Sequence, residues 1–119
     1  MKKLSCLLVL ATLVSSTAWA ACKPPDSPRK VPEGATAPRE EMLAGKKVID
    51  QFTTRMGAYL ECIKDEYEKQ VAKYPKADAV LKKQFDDSYM SKNHAAMDEQ
   101  QKWVDKFNLE LAAFKARPK

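Results

Sequence analysis

Five of the seven prolines in this 119-residue chain fall between residues 22 and 38: Pro24, Pro25, Pro28, Pro32 and Pro38. Proline lacks an amide hydrogen and fixes φ, so such a stretch can be neither a helix nor a central strand. It reads as an extended, polyproline-like arm. Gly34 suits a turn just before regular structure begins.

At Pro38 the pattern switches. Proline is favoured at a first helical position, where its missing N–H would be unpaired anyway. Glu40 and Glu41 then place negative charge in the first turn, complementing the helix dipole. Met42, Ile49, Phe52, Met56, Tyr59 and Ile63 recur at helical spacing, with steps of 3, 4, 3 and 4 from Ile49. This is a heptad-like stripe, and Leu60, Tyr67 and Val71 widen it. Tyr74-Pro75 ends the helix, because a residue preceding proline is pushed out of the α region. A second helix is expected from about Asp78, a candidate N-cap, to Arg117-Pro118. Its stripe runs through Val80, Leu81, Phe85, Met90 and Met97, and is strongest at Val104, Phe107, Leu111 and Phe114. The polar Asp86-Asp87-Ser88 leaves open a break that would give three helices. The expected class is all-α: a long antiparallel helical hairpin over residues 38–119, preceded by a proline-rich arm over 21–37.

Residues 1–20 have the layout of a secretory signal peptide. Met1-Lys2-Lys3 is basic, Leu4 to Val14 is apolar, and Ala18-Trp19-Ala20 is a small-x-small cleavage site. The apolar run is too short to span a bilayer, and no later segment is apolar enough. Cleavage after Ala20 would remove Cys6 and leave Cys22 and Cys62. In an oxidising compartment these most simply form one disulfide. Lipidation of Cys22 and an intermolecular bond are the alternatives. Trp19, three places before Cys22, is too bulky for the aliphatic position that lipoprotein processing prefers.

Geometry permits the intramolecular bond. Cys62 would lie about 36 Å into the first helix, and an extended arm of this length reaches about 50 Å. The arm could therefore fold back along the helix and cover one groove of the hairpin. A bare helix pair buries little, so it needs such a cover or a second copy.

Processing would leave 19 basic and 16 acidic residues. Residues 21–39 carry four basic and two acidic groups, and residues 40–119 carry 15 and 14. Interleaved signs describe a solvated helix surface better than the basic stripe of a nucleic-acid binder. An enzyme is not expected. The chain has three glycines and no phosphate-cradling loop. Its adjacent carboxylate pairs point about 100° apart on a helix, so they make no acid/base dyad. His94, with Asp98 one turn on and Asp86 or Asp87 nearby, is a weak basis for a metal site, which usually gathers three or four N/S ligands. No cofactor is expected. Cysteines forty positions apart suit a structural bond rather than a redox motif. The four spaced methionines, Met42, Met56, Met90 and Met97, fill a core or line an adaptable surface, the core reading being preferred.

Several fragments together resemble a family of small, uncharacterised secreted proteins of Gram-negative bacteria. They are Cys22-Lys23-Pro24-Pro25, Val31-Pro32-Glu33-Gly34-Ala35-Thr36-Ala37, Met42, Tyr59-Leu60-Glu61-Cys62, Phe107-Asn108 and Phe114-Lys115-Ala116-Arg117. Residues 74–90 contribute nothing to the likeness. The chain departs from the family at Pro38, where a Ser or Thr N-cap is common. The resemblance implies paired cysteines and a helical body, and no activity.

The expected function is non-enzymatic binding or scaffolding in the cell envelope, in the periplasm, through the face the arm leaves free; a holdase-like chaperone is one version of it. The partner would be an envelope protein or a second copy, with no nucleic acid and no membrane span. Tyr59, Tyr67, Tyr74, Tyr89 and Trp103 are expected to be partly exposed on that face. A small-ligand or metal carrier using His94 and Asp98, a structural homodimer and an envelope-anchored lipoprotein are the other readings.

Overall fold

A computed structural model describes residues 21–119; the signal-peptide reading of residues 1–20 lies outside them. Two helices account for the regular structure among the described residues: α1, Arg39–Lys73, and α2, Ala79–Lys115. Pro38 itself occupies the N-cap position of α1 in extended conformation, with φ −67° and ψ 160°, rather than the first helical position. It offers no capping side chain, so the first turn relies on Glu40 and Glu41. At the start of α2 the Asp78 carboxylate accepts from Leu81 N at 2.8 Å. This satisfies one of the donors a helix start leaves unpaired.

α2 runs unbroken through Asp86-Asp87-Ser88, so the three-helix alternative is overturned. The reason is visible in the side chains. Asp86 accepts from the Tyr67 hydroxyl at 2.6 Å, and Asp87 pairs with Lys83 one turn back. Both carboxylates find side-chain partners and do not compete for the backbone.

The core lies between the helices and under the arm. Its buried members are Ala37, Met42, Ile49, Phe52, Met56, Tyr59, Ile63, Ala96, Trp103 and Phe107. The α1 stripe is the one the spacing predicts. On α2 the buried line is Ala96, Trp103 and Phe107, while Val104, Leu111 and Phe114 are only half-buried. The inward face of α2 is thus turned toward Trp103. The indole can be buried there because its Nε1–H donates to Glu99 Oε1 at 2.7 Å.

The arm runs back along α1 and is fastened at both ends. Cys22 is bonded to Cys62, with Cα atoms 5.8 Å apart. Ser27 Oγ donates to Glu99 Oε1 at 2.8 Å. Pro28 and Pro32 are buried, and a Cβ placed on Gly45 of α1 would lie 2.6 Å from the Pro32 ring. The missing side chain is what lets the proline sit on the helix. At the other end, Thr36 N and Ala37 N both donate to Glu33 O, closing a turn. That turn rests on α2. Gly34 N donates to Glu110 Oε2 at 2.7 Å, and the Arg117 guanidinium donates to Ala37 O at 2.5 Å. A Cβ on Gly34 would overlap the Glu110 carbonyl, so only glycine allows this approach.

Candidate functional site

The disulfide and arm occupy one side of the hairpin, which leaves the opposite side as the candidate binding face. At 100° per residue, Leu60 lies about 160° around α1 from Cys62. On α2, Met90, Met97, Val104 and Leu111 fall at steps of seven. They lie about 120–180° around the helix from Glu99, which touches the arm. Leu60, Val104 and Leu111 are half-buried against the core, whereas Met90 is 51% and Met97 54% exposed. On α1, a Cβ placed on Gly57 meets nothing within 4 Å, so the space beside it is open. The four methionines therefore divide: Met42 and Met56 are core, Met90 and Met97 surface.

Of the five aromatics expected at a partner-binding face, two are not available. Tyr59 and Trp103 are buried core residues. Tyr59 belongs to the α1 stripe that faces α2, and Trp103 has its polar edge satisfied by Glu99. Lys106 and Lys102 lie over the indole at 4.5 and 5.8 Å from the ring centroid. Tyr67 and Tyr89 are half-buried and stacked on each other across the helices, with centroids 4.9 Å apart. They form a rung that holds the hairpin where the arm no longer covers it. Tyr74 alone is widely exposed, at the turn, tilted against Phe85 at 5.8 Å.

Two groups have shifted proton affinity. The Tyr67 hydroxyl is pushed above its ordinary range, first by donating to Asp86, then by burial and by the negative charge of Asp86. The Glu99 carboxyl is held below its ordinary range, first by the Ser27 hydroxyl and then by the Trp103 indole, with Lys102 adding to the effect. Glu99 thus joins arm, core and surface, a role its sequence position among polar residues does not announce.

His94 and Asp98 are both exposed, and Asp86 and Asp87 are engaged with Tyr67 and Lys83. Among the described residues no group of three or more His, Cys, Asp or Glu side chains is placed to hold a metal ion. No described helix is long and apolar enough to cross a membrane. The Cys22 sulfur that lipidation would use is taken by the bond to Cys62. Comparison with protein-family models, with curated proteins and with solved structures finds no match to this chain.

Proposed function

We propose that this chain is a non-enzymatic binding and scaffolding protein of a bacterial cell envelope. Residues 1–20 export it to the periplasm. There it cradles unfolded or partly folded polypeptide on the face the arm leaves free. The observation that carries this reading is the row Met90, Met97, Val104 and Leu111. It runs about 32 Å along α2 at 1.5 Å per residue. Methionine side chains adapt to varied apolar partners, and the exposed Met90 and Met97, continued by the half-buried edges of Val104 and Leu111, offer a partner an apolar row. Interleaved charges at its margins keep the complex in solution.

The test is suppression of aggregation of a chemically denatured protein by a several-fold molar excess of this one. Met90→Glu with Met97→Glu, both at exposed positions, should abolish the protection while circular dichroism stays unchanged. An absence of protection by the native protein would end the holdase reading. Intact mass from a periplasmic extract tests the location. A chain beginning at Ala21 and two hydrogens lighter than its reduced form is the expected species.

A further inference from the structure

Charges of both signs interleave over most of the chain, but one contiguous segment, which the fold makes its hairpin tip, is mostly basic. The hairpin tip comprises the last residues of α1, the connecting turn and the first residues of α2. Residues 69–83 contain Lys69, Lys73, Lys76, Lys82 and Lys83 against the single acid Asp78. The other described residues carry 14 basic and 15 acidic groups. The whole positive excess of the described chain therefore sits on a cap about 7 Å deep in each helix. Asp78 is spent on capping α2. Of the acids just below, Glu66 pairs with Lys92, Asp86 with Tyr67 and Asp87 with Lys83, and Glu68 stands next to Lys69; counting it, the segment still holds five cations against two acids. Among the described residues, Lys73, Lys76 and Lys82 form no ion pair.

The same tip carries apolar side chains that have no cover. Val80 is 68% exposed and Tyr74 46%, with Pro75 exposed between them. Tyr74 lines a shallow open hollow with Lys73, Lys76 and Leu81. Lysines surrounding a tyrosine and aliphatic side chains are what an interfacial site requires. The apolar groups enter the acyl boundary, and the flexible lysine stems keep their ammonium groups among headgroups.

The geometry points to the hairpin turn as a docking tip for an anionic lipid bilayer surface. This goes beyond the binding role proposed for the arm-free face and does not depend on it. The charge complementarity is of a diffuse kind. All five cations are lysines, point charges without the planar fork that fixes a guanidinium on one phosphate. A polyanionic strand would gain nothing from Val80 and Pro75, whereas a bilayer accepts both charge and apolar surface. Screening over about 8 Å at physiological salt favours the charges nearest the surface, here the lysines of the turn end.

The experiment is flotation of the purified protein with phosphatidylcholine vesicles with and without phosphatidylglycerol, at low and high salt. All variants keep the same N-terminus, so any contribution of residues 1–20 cancels. Binding is expected only to the anionic vesicles and should be released by salt. Replacing Lys73, Lys76 and Lys82 by Gln should lower the partition coefficient about 100-fold. Tyr74→Ser with Val80→Ser should lower it about tenfold with charge unchanged. Replacing Lys23, Lys47 and Lys115, remote from the tip, by Gln should leave it within about threefold. Helical content by circular dichroism identifies any variant that has lost its fold. Equal binding to neutral vesicles, no binding to anionic ones, or an equal loss in the remote variant overturns the proposal. So does a short DNA duplex bound as tightly as the vesicles and lost with the same three lysines.

Discussion

The contact between Gly34 and α2 yields the sharpest test of how the arm is held. In Gly34→Ala the new methyl would overlap the Glu110 carbonyl and lie 2.9 Å from Phe114 N. Both neighbours are backbone of a continuous helix, so no rotamer change makes room. The turn from Glu33 to Ala37 must lift. It then gives up the Gly34–Glu110 bond and the Arg117 bond to Ala37 O. Hydrogen bonds to charged groups contribute about 1.5–3 kcal/mol each when shielded, less when partly exposed. Two of them, discounted for partial exposure, set the loss at about 2–4 kcal/mol. For a domain of this size that lowers Tm by roughly 10–25 °C. Gly57→Ala supplies the internal comparison. It is the same chemical change within α1, where the added carbon meets nothing. There alanine should stabilise by about 0.5–1 kcal/mol through helix propensity. Urea unfolding of the oxidised protein measures both. A Gly34→Ala midpoint within error of the native one would refute the docking of the turn on α2. Equal destabilisation by both variants would refute the packing argument.

Three further outcomes follow from the same contacts. Replacing Cys22 and Cys62 by Ser opens a loop of 40 residues and should cost about 4 kcal/mol in unfolding free energy. Proteolysis of the arm should be faster in that variant. Glu99 is held below its ordinary proton affinity in the folded state, so its contribution is full above the unfolded value and is lost as pH falls through the folded one. Acid below the usual carboxylate range should therefore loosen the arm at Ser27, read by hydrogen exchange of residues 23–30, and Glu99→Gln should remove that dependence. Asp78→Ala removes the α2 cap and should cost about 1 kcal/mol by thermal melting.

Much of the fold was legible because it rests on local chemistry. Pro38, Glu40 and Glu41 marked one helix start, Asp78 the other, and Tyr74-Pro75 the turn between them. The 3–4 spacing from Ile49 to Ile63 named the buried face of α1 correctly. The Cys22–Cys62 pairing followed from cysteine arithmetic and the reach of an extended chain. The reading failed where burial depends on a partner from elsewhere in the chain. Tyr59 and Trp103, expected among the partly exposed aromatics, are both buried. The helical spacing had already put Tyr59 in the α1 stripe, which the fold buries; for Trp103 the fold shows that the indole turns inward, with Glu99 one turn back accepting its N–H. Asp86 to Ser88 looked like a break because the hydroxyl of Tyr67, on the other helix, could not be seen from the local sequence.

The candidate faces show the same division. Helical periodicity was enough to place Met90, Met97, Val104 and Leu111 on one side of α2, since spacing alone decides which residues of one helix share a face. It could not say whether that side was covered. That depended on which groove the arm entered, and hence on Gly34, Pro32 and the disulfide acting together. The charge at the tip divides differently. The lysines of residues 69–83 are concentrated in the sequence itself. The fold adds that this segment is the turn end of the hairpin, clear of the arm. Sequence order determined the helices because their hydrogen bonds and caps join residues a few positions apart. The tertiary structure decided which surfaces are buried and which stay open, because those depend on residues brought together from distant parts of the chain.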